Sequence, residues 1–258
     1  MYSIGVDSGS VATKAVLFNG KIVEKLIIPT GWSPQTTSHE AVNLLLNKSK
    51  IDRDRVEKVI GTGYGRVSMA FAHKTVTEIT CHGKGAYFLN SRVRTILDIG
   101  GQDSKVISLD GHGNVIDFAM NDKCAAGTGR FLEVMSNVLG IDVRELDDLT
   151  KNIDPEPITS MCTVFAESEV ISLLAKGVSK EKIASGIIHS VANRGLSILN
   201  KINISEEIVF TGGVANSKGI KRIIEEKSKH SLYVPRESQI VGALGAAVIG
   251  WKLLNKDL

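Results

Sequence analysis

Length, composition and charge exclude several classes of protein before any motif is considered. The chain has 258 residues and a formal net charge of +3, and no dense block of lysine and arginine favours nucleic acid as a partner. The sequence does not open with a basic segment followed by an apolar one, and its longest apolar run, 240–251, is shorter than the ~20 residues of a membrane span. We therefore expect a cytoplasmic protein that binds neither nucleic acid nor a membrane.

The N-terminal part of the chain predicts a group of strands followed by alternating helices and strands. Apolar strands are expected at 2–7, 13–18 and 21–29, and the pair Asn19-Gly20 indicates a type I′ turn between the last two. Ser33-Pro34 indicates the start of a helix, and a strand at 56–63 and a second helix ending near residue 90 follow it. This alternation is typical of an α/β fold.

A second copy of the opening pattern begins at Thr95. Residues 96–110 resemble residues 4–18, because each segment has an apolar strand with an Asp, a polar turn with a Gly, a Lys and another apolar strand. A repeat this long indicates a duplicated domain rather than a solenoid, whose repeats span ~20–50 residues. We expect two like lobes, 1–94 plus 239–258 and 95–238, with a cleft between them.

The rest of the chain alternates helices and strands without a long linker. Helices are expected at 124–140, 166–177, 181–202, 218–228 and 239–254, and strands at 207–213 and 231–235.

Three glycine turns follow predicted strands, at 7–10, 98–103 and 211–216. Backbone N–H groups and hydroxyls in such turns cradle phosphate oxygens, and a neighbouring carboxylate can hold Mg²⁺ through water. One such turn is usually only a turn, but three in this order resemble the phosphate-1, phosphate-2 and adenosine motifs of the superfamily of acetate and sugar kinases, Hsp70 and actin. The segment 242–247 resembles that superfamily's last connecting helix. The resemblance implies an actin-like fold of duplicated ribonuclease-H-like lobes that binds ATP with Mg²⁺ between them.

Gln102 and two carboxylates are the candidate catalytic residues. Sugar kinases of this superfamily usually place a catalytic Asp elsewhere in the cleft, to deprotonate a substrate hydroxyl. Here we expect the γ-phosphate to meet a water molecule polarised by Gln102 or by a carboxylate, Asp7 or Asp103. Phosphoryl transfer depends mostly on positioning and charge neutralisation, so an orienting Gln would suffice.

Two of the three cysteines, Cys124 and Cys162, share a setting before a predicted helix. Buried unreactive thiols are the ordinary alternative, and zinc is the rival metal, although four-thiolate zinc sites usually contain close CxxC pairs. A [4Fe–4S] cluster needs four thiolates, which a twofold axis would supply from two chains. Helix N-termini would favour the thiolate forms. For Cys81 we expect a buried structural thiol, and for His82 a satisfied or exposed side chain.

The sequence around these residues closely resembles that of the 2-hydroxyacyl-CoA dehydratase activators, within the wider family of benzoyl-CoA reductase ATPase subunits. The matching segments include IGVDSGSVATK, GTGYGR, DIGGQDSKVI, NDKCAAGTGRF, MCTVFAESEVI and FTGGVANSKG. The resemblance implies a homodimer with one oxygen-sensitive [4Fe–4S] cluster on Cys124 and Cys162 of each chain. It also implies ATP hydrolysis that drives a low-potential electron onto a separate iron–sulfur enzyme, with ferredoxin or flavodoxin as the donor.

The resemblance and the three turns together give the expected nucleotide contacts. These are Asp7, Ser8, Gly9, Ser10, Val11, Ala12, Thr13, Lys14, Asp98, Gly100, Gly101, Gln102, Gly212, Gly213, Asn216, Gln239 and Gly242. Glu167 and Glu169, taken as the first turn of a helix, are explained by the helix dipole.

Three alternatives remain open from the sequence. The acceptor could be a double-cubane cluster protein instead of a dehydratase. The chain could also be a small-molecule kinase of the same superfamily, although it is short for one and shows no evident insertion for a catalytic base. A non-enzymatic, actin-like regulator would need no cluster.

Overall fold

The computed structural model describes residues 1–160, 162–204 and 207–255, and their strands form two five-stranded sheets. The first sheet contains β1 (Tyr2–Ser8), β2 (Ala12–Phe18), β3 (Ile22–Pro29), β4 (Val56–Thr62) and β5 (Lys74–Thr75). Their order is β3-β2-β1-β4-β5, with β1 antiparallel to β2 and parallel to β4. Alternate residues of β1 and β2 pack beneath the sheet in a core with Ala41 and Leu45.

The second sheet repeats this order. It contains β6 (Thr95–Ile99), β7 (Ser104–Leu109), β8 (Val115–Asn121), β9 (Ile208–Thr211) and β10 (Leu232–Tyr233). The order is β8-β7-β6-β9-β10, and β6 is parallel to β9 as β1 is to β4. The duplication predicted from residues 4–18 and 96–110 is therefore confirmed by the topology of the strands.

Eight α-helices connect and cover the strands within the described residues. They are α1 (Pro34–Ser49), α2 (Glu78–Leu89), α3 (Gly129–Leu139), α4 (Leu146–Leu149), α5 (Thr163–Ala175), α6 (Lys180–Leu199), α7 (Lys218–Ser228) and α8 (Val241–Leu254). The predicted start of α1 is confirmed, because the Ser33 hydroxyl accepts a hydrogen bond from the Thr36 amide and Pro34 is the first helical residue. Across the described part of the chain, every helix is too short or too polar to span a bilayer.

The predicted hairpin between β2 and β3 forms, but its predicted turn type is wrong. Phe18 pairs with Ile22, so the loop has three residues, Asn19 to Lys21. A type I′ turn needs positive φ at both central residues, whereas here Gly20 has φ +97° and Asn19 does not have positive φ. Because the loop has one residue more than a type I′ turn, Asn19 does not need the left-handed conformation.

The chain divides into two compact units. The first comprises Met1–Arg94, Ile107–Asp117 and Pro235–Leu258, of which 256–258 lie outside the described residues, and the second comprises Thr95–Val106 and Phe118–Val234. Segments 107–117 and 235–238 thus belong to the first unit, whereas we expected them in the second lobe. For 107–117 the reason is contact with α2: Lys84 donates to the Asn114 side chain at 2.6 Å and Tyr87 to the Gly111 carbonyl at 3.1 Å.

Candidate nucleotide and metal sites

The first glycine turn joins β1 to β2 in the first unit. Asp7 lies opposite Lys14 in the antiparallel pair, and the Lys14 Nζ is 3.5 Å from the Asp7 carboxylate. The Gly9 amide donates to the Ala12 carbonyl at 3.1 Å, and the buried Thr30 hydroxyl donates to the Gly9 carbonyl at 2.7 Å. Ser10 and Val11 are exposed at the tip of the turn, while Ser8 and Thr13 are buried below it. The turn therefore presents its backbone to solvent on a rigid base.

The second turn joins β6 to β7 in the second unit with the same hydrogen bond, from the Gly100 amide to the Asp103 carbonyl at 2.9 Å. Asp98 occupies the place of Asp7, and Lys105 that of Lys14. The buried Lys105 Nζ is 3.3 Å from the Asp98 carboxylate and 2.8 Å from that of Asp103. Gln102 is exposed at the tip, with Gly101 beside it.

Lys105 was absent from the residues expected in the site, although the repeat contained a signal for it. Asp98 follows Asp7 by 91 positions, and Lys105 follows Lys14 by the same interval. A buried lysine held between two carboxylates is what ties the second turn together.

The third turn follows β9 and has an unexpected counterpart in the first unit. Gly212 has φ +88° and ψ 177° before a short 3₁₀ helix, Gly213–Asn216, with Gly213 and Asn216 exposed. Gly63, which follows β4, has φ +86° and ψ −177° before the 3₁₀ helix Tyr64–Ser68. A Cβ at Gly212 would collide with the Ile99 carbonyl, and one at Gly63 with the Asp7 carboxylate. Only glycine fits either place.

The threonines that precede these glycines also correspond. Thr62 lies opposite Asp7 in the β1–β4 pair, and Thr211 opposite Asp98 in the β6–β9 pair. The Thr211 hydroxyl donates to the Asp98 carboxylate at 2.7 Å. Each unit thus contains a strand-end Asp, a Lys on the hairpin partner and a Thr-Gly turn on the parallel neighbour.

Asp147, in α4, fixes the helix that follows the third turn. Its carboxylate accepts hydrogen bonds from the Ser217 hydroxyl at 2.7 Å, the Lys218 amide at 2.7 Å and the Gly219 amide at 3.2 Å. It therefore caps α7 from a helix 70 residues away in sequence. Nothing in the sequence pattern indicates this contact, because it depends on how α4 packs.

Gly242 lies beside Asp7, as the expected site requires, whereas Gln239 is exposed in the turn before α8. A Cβ on Gly242 would be 3.0 Å from both the Asp7 Oδ2 and the His82 Cε1. His82 is buried, with its Nδ1 2.9 Å from the Glu78 carbonyl, so the expectation of a satisfied histidine is confirmed. A surface pocket of about 380 Å³ in the first unit, near Phe71, contains none of these residues.

The three cysteines differ in environment. Cys162 is exposed and is the N-cap of α5, as expected. Cys124 is half-buried and does not directly precede a helix, which corrects the prediction: α3 begins at Gly129, with Thr128 as its N-cap. Gly127, at φ +82°, turns the chain between them. Cys81 is fully buried, and burial raises the pKa of its thiol to about 12, which confirms a structural thiol.

The start of α3 is attached to the second turn. The Gly129 amide donates to the Gly100 carbonyl at 2.9 Å, and the Arg130 amide to the Gly101 carbonyl at 2.8 Å. The Thr128 hydroxyl also donates to the Gly101 carbonyl, at 3.0 Å. The segment from Cys124 to α3 is thereby linked to a predicted phosphate turn.

The cysteines that are not fully buried are Cys124 and Cys162. Among the residues that the structure describes, no group of three or more His, Cys, Asp or Glu side chains could hold a metal ion. Two available thiols per chain are half of what a [4Fe–4S] cluster needs. A second copy would complete the set.

Comparisons with known proteins agree with the predicted fold and with an ATPase. Residues 4–250 match the BadF/BadG/BcrA/BcrD ATPase family. The chain is 48% identical to an uncharacterized Escherichia coli protein, YjiL, over 99% of both chains. It is 41% identical to the (R)-2-hydroxyglutaryl-CoA dehydratase activating ATPase of Acidaminococcus fermentans, again over 99% of both chains.

A solved structure gives the same result. The activator of the 2-hydroxyisocaproyl-CoA dehydratase from Clostridium difficile, with bound ADPNP, superimposes with a TM-score of 0.92 and 41% identity, covering 100% of this chain and 98% of that chain. The fold and these comparisons define an ATPase with the actin-like fold, as predicted. Within that class, the chain belongs to the BadF/BadG/BcrA/BcrD ATPase family, and it is homologous to the 2-hydroxyacyl-CoA dehydratase activators.

Proposed function

We propose that this ATPase is a reductase that uses ATP hydrolysis to pass a low-potential electron to a partner iron–sulfur enzyme, a 2-hydroxyacyl-CoA dehydratase. The observation that carries the proposal is the surface around Cys162. This thiol is exposed at the start of α5, and the next apolar side chains, Val164 and Phe165, are 66% and 69% exposed. Solvent-exposed apolar groups beside an exposed thiol are typical of a surface that another protein covers, and we propose that a second copy of the chain covers this one.

The rest of α5 supports a homodimer. Ile171 is 52% exposed, whereas Ala166 and Val170 alone are fully buried in the core of the second unit. A helix that is apolar on most sides and buried on one normally packs against a second surface. A twofold axis near Cys162 would bring two copies of α5 together and supply four cysteines, Cys124 and Cys162 from each chain.

In this proposal α5 positions the Cys162 thiol. Cys162 is the N-cap of α5 and precedes amides of the first helical turn that have no partner within the helix. When bound between the chains, a [4Fe–4S] cluster would supply one-electron transfer at low potential. Cys81 takes no part, because its thiol is buried and protonated at neutral pH.

For ATP, the proposed contacts are those of the three turns. Residues 7–14 of the first unit would hold phosphate oxygens through backbone amides, with Asp7 holding Mg²⁺ through water. Asp98 and residues 100–102 would do the same in the second unit, where Gln102 orients the attacking water and Asp103 is the nearby carboxylate. Gly212, Gly213 and Asn216 would contact the nucleoside, and Gln239 and Gly242 would close the site. The relative solved with ADPNP supports nucleotide binding.

The partners of the proposal follow from the relatives. Proteins 41% and 42% identical to this chain are named for the dehydratases that they activate, which favours an iron–sulfur dehydratase as the acceptor, with a double-cubane cluster protein as the alternative. A ferredoxin or flavodoxin would be the donor. We also propose that the protein is cytoplasmic, because its three cysteines are free and thiols stay reduced in the cytoplasm.

Anaerobic purification tests the metal and the dimer together. We expect a brown protein with four irons per two chains in the mass of a dimer. Cys124→Ser and Cys162→Ser should each lose iron, while Cys81→Ser should keep it. A colourless, iron-free dimer or monomer would refute the electron-transfer function and leave a kinase or a regulator.

The hydrolytic assignment has its own test. Gln102→Ala should bind ATP normally but turn it over at least about 10-fold more slowly, because the water loses its orienting amide. Unchanged turnover would remove Gln102 from the catalytic residues. ATP consumption that requires an added hydroxyl compound would favour a small-molecule kinase instead.

A further inference from the structure

Residues 153–160, which precede Cys162, are held by hydrogen bonds at two places within the second unit. The second of these places involves a glutamate of α5. Farther from the cysteine, the Glu156 amide donates to the Lys182 carbonyl at 3.0 Å, and the Ser185 hydroxyl to the Ile153 carbonyl at 2.9 Å. These bonds hold residues 153–156 on α6. Nearer the cysteine, the attachment is made by Glu169.

Glu169 lies in the second turn of α5 and not in the first, so the helix dipole does not explain it. One carboxylate oxygen, Oε1, accepts hydrogen bonds from the Thr159 amide at 2.9 Å and the Thr159 hydroxyl at 2.7 Å. The other, Oε2, accepts one from the Ser160 amide at 2.8 Å. Burial alone would raise the pKa of Glu169, but these hydrogen bonds outweigh it and lower the pKa to about 2, so the carboxylate is ionised at neutral pH.

We propose that Glu169 is the positioning residue for Cys162: it joins the chain before the cysteine to the helix after it and so fixes the direction of the thiolate. The proposal rests on the cluster site of the proposed function. The hydrogen bonds from Thr159 and Ser160 to Glu169 form a staple. Its two ends, Thr159–Ser160 and α5, lie on either side of Cys162 in the chain. A ligand held in this way loses less conformational freedom when it binds a metal.

Glu167 provides a matched control, because it is on the same helix and two residues away. Within the described part of the chain, its carboxylate makes no hydrogen bond or ion pair that would hold the segment before Cys162. Both Glu167→Gln and Glu169→Gln remove one negative charge from α5 and replace one carboxylate oxygen with an amide nitrogen. Only at Glu169 does the replaced oxygen accept a hydrogen bond from Thr159 or Ser160. Thr159→Val removes a single one of the three hydrogen bonds.

Amide hydrogen exchange on the iron-free full chain tests the staple directly. We expect the amides of Thr159 and Ser160 to exchange at least about 10-fold faster in Glu169→Gln than in Glu167→Gln or the unchanged chain, because a charge-assisted hydrogen bond is lost. Equal exchange in the two variants would overturn the proposal. Unchanged exchange in the core strands β6 and β9 would show that the variant is folded.

Iron release to a chelator from the anaerobic dimer tests the consequence. We expect release about 10-fold faster from Glu169→Gln, and an intermediate rate from Thr159→Val, since partners of a metal ligand usually change metal retention by this factor. Release at the rate of Glu167→Gln would overturn the positioning role while leaving the cluster in place. Iron-free wild-type protein would instead refute the proposed function and the inference with it, so the two failures are distinguishable.

Discussion

The two hairpin turns share a backbone arrangement but differ in what surrounds the aspartate. In the first unit Asp7 has one ion pair, at 3.5 Å, to Lys14, whose side chain is 21% exposed. In the second unit Asp98 is 3.3 Å from Lys105, which is only 3% exposed, and it also accepts a hydrogen bond from Thr211 at 2.7 Å. Both carboxylates are buried, but Asp98 has more partners around it than Asp7.

The difference has a local cause in the sequence of the turns. Where the second turn has Asp103, the first has Ala12, so Lys105 has two carboxylate partners and Lys14 has one. A buried cation with two partners is costly to disturb, whereas a partly exposed pair contributes little. We therefore expect Asp7 to be the carboxylate that holds Mg²⁺, and Asp98 to act mainly by stabilising the turn whose backbone contacts the nucleotide. Six substitutions, grouped in four experiments, test this expectation.

The largest effect is expected from removing the buried lysine. Lys105→Met should lower the free energy of unfolding by about 3 kcal/mol or more, because it removes the buried cation that Asp98 and Asp103 share. Lys14→Met, at the equivalent place, should cost about 1 kcal/mol or less. Urea unfolding of both variants measures the difference. Equal losses would mean that the two turns are energetically alike.

Asp7→Asn should act on activity and not on stability. We expect ATP turnover to fall by about 10- to 100-fold, the usual range for a group that orients a metal's water ligands, with little change in the urea midpoint. Asp98→Asn should show the reverse pattern, a lower midpoint, because Lys105 loses a buried partner. If Asp98→Asn lost as much turnover as Asp7→Asn at an unchanged midpoint, the contrast between the aspartates would be refuted.

Asp103→Ala converts the second turn to the composition of the first at that position. If Asp103 only supports Lys105, the substitution should cost about 1–2 kcal/mol of stability and leave ATP turnover within about threefold of the parent. A larger fall in turnover at a small stability cost would assign Asp103 a catalytic role beside Gln102. Steady-state hydrolysis and urea unfolding on one preparation separate the two outcomes.

The reciprocal change should have the smallest effect. Ala12→Asp gives Lys14 a second carboxylate partner, but at a partly exposed place, so we expect a gain of about 0.5 kcal/mol or less. High salt should remove that gain, because exposed ion pairs are screened. A stabilisation that persists in high salt would show that the first turn is more enclosed than its exposed tip indicates.

Much of the fold could be predicted from the sequence because the relevant signals are local. Strand alternation, the Ser33-Pro34 helix start and the repeat of residues 4–18 depend on neighbouring residues, and the topology confirms them. The turn at Asn19-Gly20 was mispredicted because one additional loop residue changes the φ requirement without changing the composition.

The contacts that could not be predicted join residues far apart in the chain. Asp147 caps α7 from a distance of 70 residues, and Thr211 reaches Asp98 across 113. Both depend on tertiary packing. The sequence predicts the start of α3 too early, next to Cys124. The pattern CAAGTG does not distinguish a glycine inside a helix from Gly127, whose positive φ holds the chain out of the helix. The assignment of the nucleotide contacts stays a prediction.

The two copies of the repeat differ in the length of chain between the strand-end Asp and the Thr-Gly turn. Asp7 and Asp98 are 91 residues apart, whereas Thr62 and Thr211 are 149 apart, so the interval between the two points is 58 residues longer in the second copy of the repeat. Cys124 lies between β8 and α3, the counterpart of the connection between β3 and α1, whereas Cys162 lies beyond α3, where the added residues fall. Cys162 therefore belongs to an expansion of one copy of a duplicated frame, and the first copy shows that frame without it.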